Sequence, residues 1–91
     1  MPIPIRIPSP LRPFAGGQNV VEVEGATVGD ALAVLAQKHA GLNARLRDQT
    51  GRLRQHVRIY VNDEDVRFLE EERTRLAPGD TLAIVPAIAG G

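Results

Sequence analysis

The amino-acid sequence predicts a two-layer α+β fold, in which one main helix covers one face of a small mixed sheet. Three features predict it: isoleucines alternate at the start of the chain, a capped helical stretch begins near residue 27, and an apolar strand comes last. The chain has 91 residues, of which 43% are hydrophobic and 24% are charged. This balance suits one small domain with a single core.

The first two strands are predicted from apolar residues that alternate with other residues. The inward positions of the first strand are Ile3, Ile5 and Ile7, and Arg6 lies on the opposite face. Amide donors are missing at Pro2, Pro4 and Pro8, so this strand pairs through its remaining groups or lies partly at a sheet edge. Residues 9–19 are dense in turn formers and predict a loop. Residues 20–24 then predict a second strand that forms a hairpin with the first.

Thr27 opens the clearest helix of the sequence. The acid Asp30 follows three residues later, and this spacing resembles a capping box. The apolar face that follows comprises Val28, Leu32 and Leu35, widened by Ala31, Ala33, Val34 and Ala36. Gly41 is placed where a left-handed C-cap would end the helix, and residues 42–46 could add one short helical turn.

Two strands are predicted next. Residues 55–61 form the third strand, with one face made of Val57, Ile59 and Val61. The pair Asn62-Asp63 predicts a turn after it. Val66 and Phe68 fit a short strand, and residues 70–75 predict a solvated connection.

The last strand is predicted over residues 81–85, after a Pro-Gly-Asp turn at residues 78–80. Leu82 and Ile84 alternate on its inward face. If the first and last strands lie side by side in parallel, the arrangement is the ubiquitin-like β-grasp. The end of the chain would then leave the sheet from a central strand, so we expect a domain over residues 1–86 and a flexible tail over 87–91.

The composition argues against several classes of function. There is no cysteine, and therefore no disulfide, no thiolate zinc site and no cysteine nucleophile. The formal net charge is zero, which argues against a nucleic-acid partner. Residues 1–10 lack the basic region of a secretory signal, and no apolar run approaches the ~20 residues that a membrane helix needs. We therefore expect a cytoplasmic protein without a membrane partner.

Two charged segments are candidates for a binding site. Residues 63–72 contain six acids without metal-ligand spacing, which predicts a solvated turn and face: Asp63, Glu64, Asp65, Glu70, Glu71 and Glu72. Residues 45–58 contain five arginines and one acid, Asp48; the arginines are Arg45, Arg47, Arg52, Arg54 and Arg58. They predict a solvated basic face, with a docking face for an acidic protein partner as the alternative.

No catalytic residue and no metal ligand is predicted. His39, near the helix end, and His56, at the start of a strand, are isolated and therefore expected to be structural. The triplet Ala-Gly-Gly occurs twice, at residues 15–17 and 89–91, and neither copy is followed by Lys-Ser/Thr as in a P-loop. The chain thus has no predicted nucleotide site and no bound cofactor.

The second Ala-Gly-Gly triplet is the main candidate for chemistry. Residues 87–91 reach at most about 17 Å when extended. Glycine has no Cβ, so Gly90 and Gly91 could pass through a narrow channel of another enzyme. The ionised carboxylate of Gly91 is a poor electrophile, but joining it to AMP would open it to sulfur or amine nucleophiles. The alternative is an ordinary frayed terminus without a role.

Three segments resemble the MoaD/ThiS family of ubiquitin-like sulfur carriers. The ending Val-Pro-Ala-Ile-Ala-Gly-Gly, residues 85–91, is similar to the family's terminal segment. Residues 78–86 resemble its turn and last strand, and residues 27–35 resemble the start of its helix. The likeness covers essentially the whole chain. It implies a protein co-substrate, not an enzyme, with Gly91 as the covalent adenylate and thiocarboxylate site.

Residues 59–68 and 8–17 resemble the branch of this family that serves cysteine biosynthesis. This resemblance implies an E1-like adenylyltransferase/sulfurtransferase that uses ATP to charge Gly91. It also implies a PLP-dependent cysteine synthase that uses O-phosphoserine, and a zinc metallopeptidase that releases cysteine from the carrier. The PLP and the zinc belong to those partners.

The residues before the terminal glycines are candidates for contact with a partner. Pro86, Ala87, Ile88 and Ala89 are predicted to lie along a partner's groove with Gly90 as the flexible approach, and Ile88 would be the apolar anchor. Phe14 and Phe68 are candidates for an exposed docking patch, with core packing as the alternative role. Three other functions stay open: a MoaD-like small subunit of molybdopterin synthase, a ubiquitin-like modifier joined to lysines through Gly91, and a passive binding module. The chain is longer than a typical ThiS protein, through residues 9–19 and 48–56.

Overall fold

A computed structural model describes residues 2–86 of the chain. The strands are β1 (Pro2–Arg6), β2 (Val20–Glu24), β3 (Val57–Val61), β4 (Glu64–Asp65) and β5 (Leu82–Pro86). The helices are α1 (Val28–Lys38) and α2 (Ala40–Leu46), with three 3₁₀ helices at Ser9–Ala15, Val66–Phe68 and Glu71–Arg73. Within this part of the chain no helix is long and apolar enough to cross a membrane.

The five strands form one mixed sheet in the order β2-β1-β5-β3-β4. The parallel pairing of the first and last strands is confirmed, with Ile5 opposite Leu82 and Arg6 opposite Ala83. The predicted β1–β2 hairpin is also confirmed, and β3 pairs antiparallel with both β4 and β5. Strand β5 is therefore central, with a neighbour on each side.

The prolines of β1 do not place it at an edge, because β1 lies between β2 and β5. The Ile7 amide donates to the Asn19 carbonyl at 2.8 Å. Since hydrogen-bonded and non-bonded pairs alternate along an antiparallel ladder, Pro2 and Pro4 fall at non-bonded positions opposite β2. On the other side, pairing with β5 starts only at Ile5. The missing donors therefore interrupt neither ladder.

The core lies between the inner face of the sheet and the two helices. The predicted inward residues of β1, β3 and β5 are buried or half-buried, and β2 buries Val21 and Val23. Helix α1 contributes Val28, Ala31, Leu32 and Leu35. Its predicted cap is confirmed, because the Thr27 hydroxyl accepts a hydrogen bond from the Asp30 amide at 3.2 Å. Ala33 does not widen the apolar face as predicted, since it is exposed.

Gly41 is not a C-cap, and that prediction is wrong. Helix α1 ends at Lys38 with His39 as its C-cap, and Gly41 lies inside α2 without a positive φ. The chain bends at His39 and resumes as a helix because Leu42 and Leu46 are both buried in the core. A Cβ at Gly41 would lie 3.6 Å from the Phe14 ring, an ordinary van der Waals distance, so the 3₁₀ helix at Ser9–Ala15 packs close to α2 here without requiring a glycine.

The short strand predicted at Val66 and Phe68 is a 3₁₀ helix instead, and β4 precedes it. The turn at Asn62-Asp63 is confirmed, with positive φ at both residues. After it, the Asp65 carboxylate accepts a hydrogen bond from the Arg67 amide at 2.9 Å, which caps the 3₁₀ helix and ends strand pairing. Residues 9–19 also differ from the predicted loop, because a 3₁₀ helix there buries Ala15.

Candidate functional site

Strand β5 brings the chain to the end of the sheet in a fixed position. Its inward residues Leu82 and Ile84 are buried. On one side Pro86 lies opposite Val57 of β3, and on the other side the strand runs parallel to β1. A strand with two neighbours and a buried face resists fraying. Pairing with β1 is confined to Leu82 and Ala83, so where the chain leaves the sheet, at Pro86, the described part of β5 pairs with β3.

Most of the predicted reacting segment lies outside the described residues. This applies to Ala87, Ile88, Ala89, Gly90 and Gly91. Pro86 is the predicted tail residue that the structure describes, and it is half-buried at the end of β5.

The outer face of the sheet carries a surface of small and apolar side chains along β5. Val85 is 40% exposed, and Ala83 lies half-buried beside it. A groove of about 570 Å³ lies here, and its lining includes Val85 and Ala83 together with Arg6 and Tyr60. A second groove of about 340 Å³ adjoins it on the β1 side and also includes Val20. The outer sheet face therefore offers apolar contact area next to the end of β5.

The two phenylalanines lie on different elements. Phe14 is half-buried against the core, and the guanidinium carbon of Arg45 lies 4.4 Å from its ring centre. Phe68 is 80% exposed on the 3₁₀ helix after β4, with the Arg67 guanidinium 5.9 Å from its ring centre. Phe14 thus combines packing with a surface contact, and Phe68 has the exposure that docking requires. Their roles in partner binding stay predictions.

The sequence predicted that the whole acidic segment, residues 63–72, is solvated, and this prediction is wrong at Asp65. Asp65 is only 6% exposed. Its carboxylate lies 3.2 Å from an Arg67 guanidinium nitrogen and 3.6 Å from one of Arg58. An acid this buried needs such partners, because an unpaired charge in the interior is very unfavourable. Asp65 therefore joins β3, β4 and the following 3₁₀ helix.

The arginine segment is not one solvated face either. Arg47 forms a two-pronged ion pair with Glu72, at 2.6 and 3.1 Å. The hydrogen bond to Glu72 raises the pKa of the Arg47 guanidinium. Arg47 also donates to the Gly51 carbonyl at 2.8 Å, so it holds the 48–52 turn and the Glu71–Arg73 helix together. Arg47 and Arg58 are therefore structural.

The histidines and acids of residues 2–86 form no cluster of three that could hold a metal ion. His39 caps α1 and starts α2, as expected of a structural residue. His56 is exposed and lies in the turn just before β3, because the strand begins at Val57 and not at residue 55 as predicted.

Sequence reasoning missed a groove close to the end of β5. It has a volume of about 630 Å³ and is lined by Phe14, Gly41, Ala44, Arg45, Arg54 and His56. These residues come from three separate stretches of the chain, so their proximity has no local signal in the sequence. The only hint was the density of arginines between residues 45 and 58.

The mixed sheet with α1 on its inner face is the ubiquitin-like β-grasp fold. The chain belongs to the ThiS family, whose sequence profile matches residues 5–91. This membership agrees with the family resemblance drawn from the terminal segment, the last strand and the start of the helix.

Several proteins are similar to this chain over all or most of its length. The sulfur carrier protein CysO of Mycobacterium tuberculosis is 44% identical over 93 residues, and the alignment covers 100% of both chains. A chain in the crystal structure of the Amycolatopsis orientalis BexX/CysO complex superimposes with a TM-score of 0.88 at 43% identity, covering 98% of this chain and 99% of that one. Small archaeal modifier protein 1 of Haloferax volcanii is 39% identical over 83 residues, covering 89% of this chain and 91% of the relative.

Proposed function

We propose that this chain is a sulfur carrier whose Gly91 carboxylate is adenylated and then converted to a thiocarboxylate. The observation that carries the proposal is the full-length likeness to CysO, which is named a sulfur carrier protein. The ThiS family match includes Gly91 itself. The central, buried β5 supports the proposal as well, because it fixes the root of a segment that must be presented to another protein.

The proposed activation takes place in a partner enzyme. ATP transfers AMP to the Gly91 carboxylate and releases pyrophosphate, which replaces a poor leaving oxygen by a good one. A sulfur nucleophile then attacks the acyl carbon and displaces AMP. We assign the ATP site to an E1-like adenylyltransferase/sulfurtransferase, and this chain to the role of co-substrate rather than enzyme.

The dimensions of the tail suit this role. From Pro86, residues 87–91 can reach about 17 Å, which is enough to enter an active site while the folded domain stays outside. Gly90 and Gly91 present no side chains to a narrow channel, and Ile88 is the proposed apolar anchor. Val85 and Ala83 on the outer sheet face extend the apolar contact at the root of the tail.

We propose cysteine biosynthesis as the destination of the sulfur. In this account a PLP-dependent cysteine synthase that uses O-phosphoserine accepts it, the carrier–cysteine adduct rearranges to an amide, and a zinc metallopeptidase releases cysteine. The 44% identity to CysO over the full length supports this acceptor over the molybdopterin precursor that a MoaD-like protein would serve. Incubation of the thiocarboxylate form of the chain with O-phosphoserine and the synthase should give the carrier–cysteine adduct, which intact mass would detect.

A second candidate is a ubiquitin-like modifier joined to lysines of other proteins through Gly91. The observation that favours it is the 39% identity to small archaeal modifier protein 1. Lys38, the single lysine of this chain, donates to the Glu22 carbonyl at 3.0 Å. Covalent ladders in lysate that require Gly91 would favour the modifier, and an adduct with free cysteine would favour the carrier.

Intact mass after incubation with an activating enzyme, ATP and a sulfur donor tests the proposal. We expect a mass gain equal to the replacement of one oxygen by sulfur. Removal of Gly91, or one added glycine after it, should abolish the gain. The matched control adds one glycine before Pro2, at the opposite end of the chain, and should charge normally. Charging of the chain without Gly91 would contradict the proposal.

A further inference from the structure

Three segments line the groove near the end of β5: the 3₁₀ helix at Ser9–Ala15, helix α2 and the stretch before β3. The 3₁₀ helix at Ser9–Ala15 contributes Phe14, and the stretch before β3 contributes Arg54 and His56. Val57 lies opposite Pro86, so His56 is the residue next to the point where the chain leaves the sheet. One lining residue of the groove is therefore the immediate chain neighbour of Val57, the β3 partner of Pro86.

Arg45 is held in this groove by an aromatic ring. Its guanidinium carbon lies 4.4 Å from the centre of the Phe14 ring, within the range of a cation–π contact. Arg45 is exposed, and Phe14 is itself fixed against the core. A guanidinium that stacks on a ring keeps its N–H donors at its edge, where they can bind a carboxylate in a two-pronged manner.

Arg54 is held by the backbone. Its amide donates to the Leu46 carbonyl at 2.8 Å, and one guanidinium nitrogen donates to the Ala44 carbonyl at 3.2 Å. The side chain is otherwise exposed. Two arginines whose positions are already fixed lose less conformational freedom on binding an anion than two free side chains would.

Arg45 and Arg54 differ from Arg47 and Arg58 in their charged surroundings. Among residues 2–86, no acid lies within 4.0 Å of the guanidinium nitrogens of Arg45 or Arg54, whereas Arg47 and Arg58 each have one. Hydrogen bonds from Thr50 lower the pKa of the Asp48 carboxyl, and the charge of Arg54 contributes to the same shift. That carboxylate accepts hydrogen bonds from the Thr50 hydroxyl and amide and from the Arg52 amide, so it belongs to its own turn.

We propose that this groove binds an acidic segment of the protein that takes up residues 87–91. The charge of Arg45 and Arg54 is complementary to paired carboxylates, and the apolar wall of Phe14, Gly41 and Ala44 suits a peptide better than a small anion. The location next to Pro86 gives the groove a role in partner choice, and this part of the argument rests on the proposed function. The binding of an acidic peptide to the groove is independent of the proposed function.

The test measures binding of a fluorescein-labelled hexapeptide of alternating Asp and Glu by fluorescence anisotropy at low salt. A hexapeptide of Asn and Gln serves as the neutral control. We expect the doubly substituted Arg45→Gln/Arg54→Gln chain to bind the acidic peptide about tenfold more weakly than the unsubstituted chain, because it loses two charge-assisted contacts. Phe14→Leu, which removes the ring under Arg45, should weaken binding by a smaller factor.

The matched control is Arg73→Gln/Arg75→Gln, which removes the same charge from two exposed arginines outside the groove. An equal loss in both double variants would overturn the proposal, because it would show general charge attraction. Inorganic phosphate that displaces the peptide at equal concentration would also overturn it in favour of a small-anion site. Self-association that depends on Arg45 and Arg54, without peptide binding, would point to a second copy of the chain and overturn it too.

The peptide experiment needs no activating enzyme, so the two proposals fail separately. Peptide binding in the groove without any sulfur gain at Gly91 would contradict the proposed function and leave the groove proposal standing. Normal sulfur gain at Gly91 without groove-specific peptide binding would contradict the groove proposal and leave the proposed function standing. Urea unfolding of each variant checks that a loss of binding is not a loss of the fold.

Discussion

Four of the five arginines of residues 45–58 belong to two regions with different surroundings. Arg47 and Arg58 face carboxylates, Glu72 at 2.6 Å and Asp65 at 3.6 Å. Arg45 and Arg54, on the side where the chain leaves the sheet, contact an aromatic ring and a backbone carbonyl instead. The first pair joins elements of the domain, and the second pair leaves its charge available to a partner.

The difference shows how residues of one type and one segment divide between stability and binding. Removing one partner of a buried ion pair destabilises the folded state, because it leaves the other charge buried without compensation. An exposed, unpaired charge contributes little to folding but creates a local field that can attract an acidic partner even when the net charge is zero. Substitutions in each region test this division.

Asp65→Ala should have the largest effect on stability. The substitution removes a buried carboxylate that contacts Arg58 and Arg67 and caps the 3₁₀ helix at Val66–Phe68. We expect a loss of about 2 kcal/mol in the free energy of unfolding, measured by urea titration. Glu64→Ala, at the exposed neighbouring position, is the control and should change it by less than about 0.5 kcal/mol. Equal effects of the two would contradict the structural role of Asp65.

Arg47→Gln should have the next largest effect. Its ion pair with Glu72 is two-pronged but partly exposed, so we expect a loss of about 1 kcal/mol in the free energy of unfolding. A double-mutant cycle with Glu72→Gln isolates the pair from the other contacts of Arg47. The exposed Arg52→Gln is the matched control. A coupling energy of zero in the cycle would contradict the pairing.

Asp80→Asn should have a smaller effect that depends on pH. The Ala77 amide at 2.7 Å, and then the Asn62 side chain at 2.8 Å, lower the pKa of the Asp80 carboxyl. A lowered folded pKa means that the stabilisation is present above the unfolded pKa, about 3.9, and is lost as pH falls through the folded value. Urea titrations between about pH 6 and pH 2 should therefore show the wild-type advantage shrinking with acid. A constant difference over this range would contradict the assignment.

Arg45→Gln and Arg54→Gln should have the smallest effect on stability. Neither residue has a carboxylate partner among residues 2–86, so we expect a change below about 0.5 kcal/mol for each in urea titration. Their effect should appear in the binding of the acidic peptide instead. A loss of stability as large as that of Arg47→Gln would erase the distinction between the two regions.

Local patterns in the sequence were sufficient to predict most of the fold. Alternation at Ile3, Ile5 and Ile7 and the Thr27 cap each depend on residues close to one another in the chain, and both are confirmed. Three predictions of secondary structure were wrong, at residues 9–19, at Gly41 and at Val66–Phe68, and the first two depend on burial in the core, which is set by contacts at longer range. Gly41 continues a helix because Leu42 and Leu46 are buried, and the predicted strand at Val66 is replaced because Asp65 caps a 3₁₀ helix.

The surroundings of the site were harder to predict for the same reason. Arg47 and its partner Glu72 are 25 residues apart, so composition alone gave two solvated charged segments where the structure has an ion pair. The groove of Arg45 and Arg54 depends on Phe14, which precedes Arg45 by 31 residues and Arg54 by 40 in the chain. The reacting segment itself was proposed from the final residues and the family resemblance, and residues 87–91 lie outside the described part of the chain.

The central claim is that Gly91 carries the sulfur. Its most direct test is fragmentation mass spectrometry of the protein isolated from its own cells, grown with sulfate as the sulfur source. We predict that a fraction of the molecules carries sulfur in place of one oxygen, on a fragment that starts after Pro86 and ends at Gly91. Molecules that end in an unmodified carboxylate under all conditions, or that carry the sulfur elsewhere in the chain, would contradict the account.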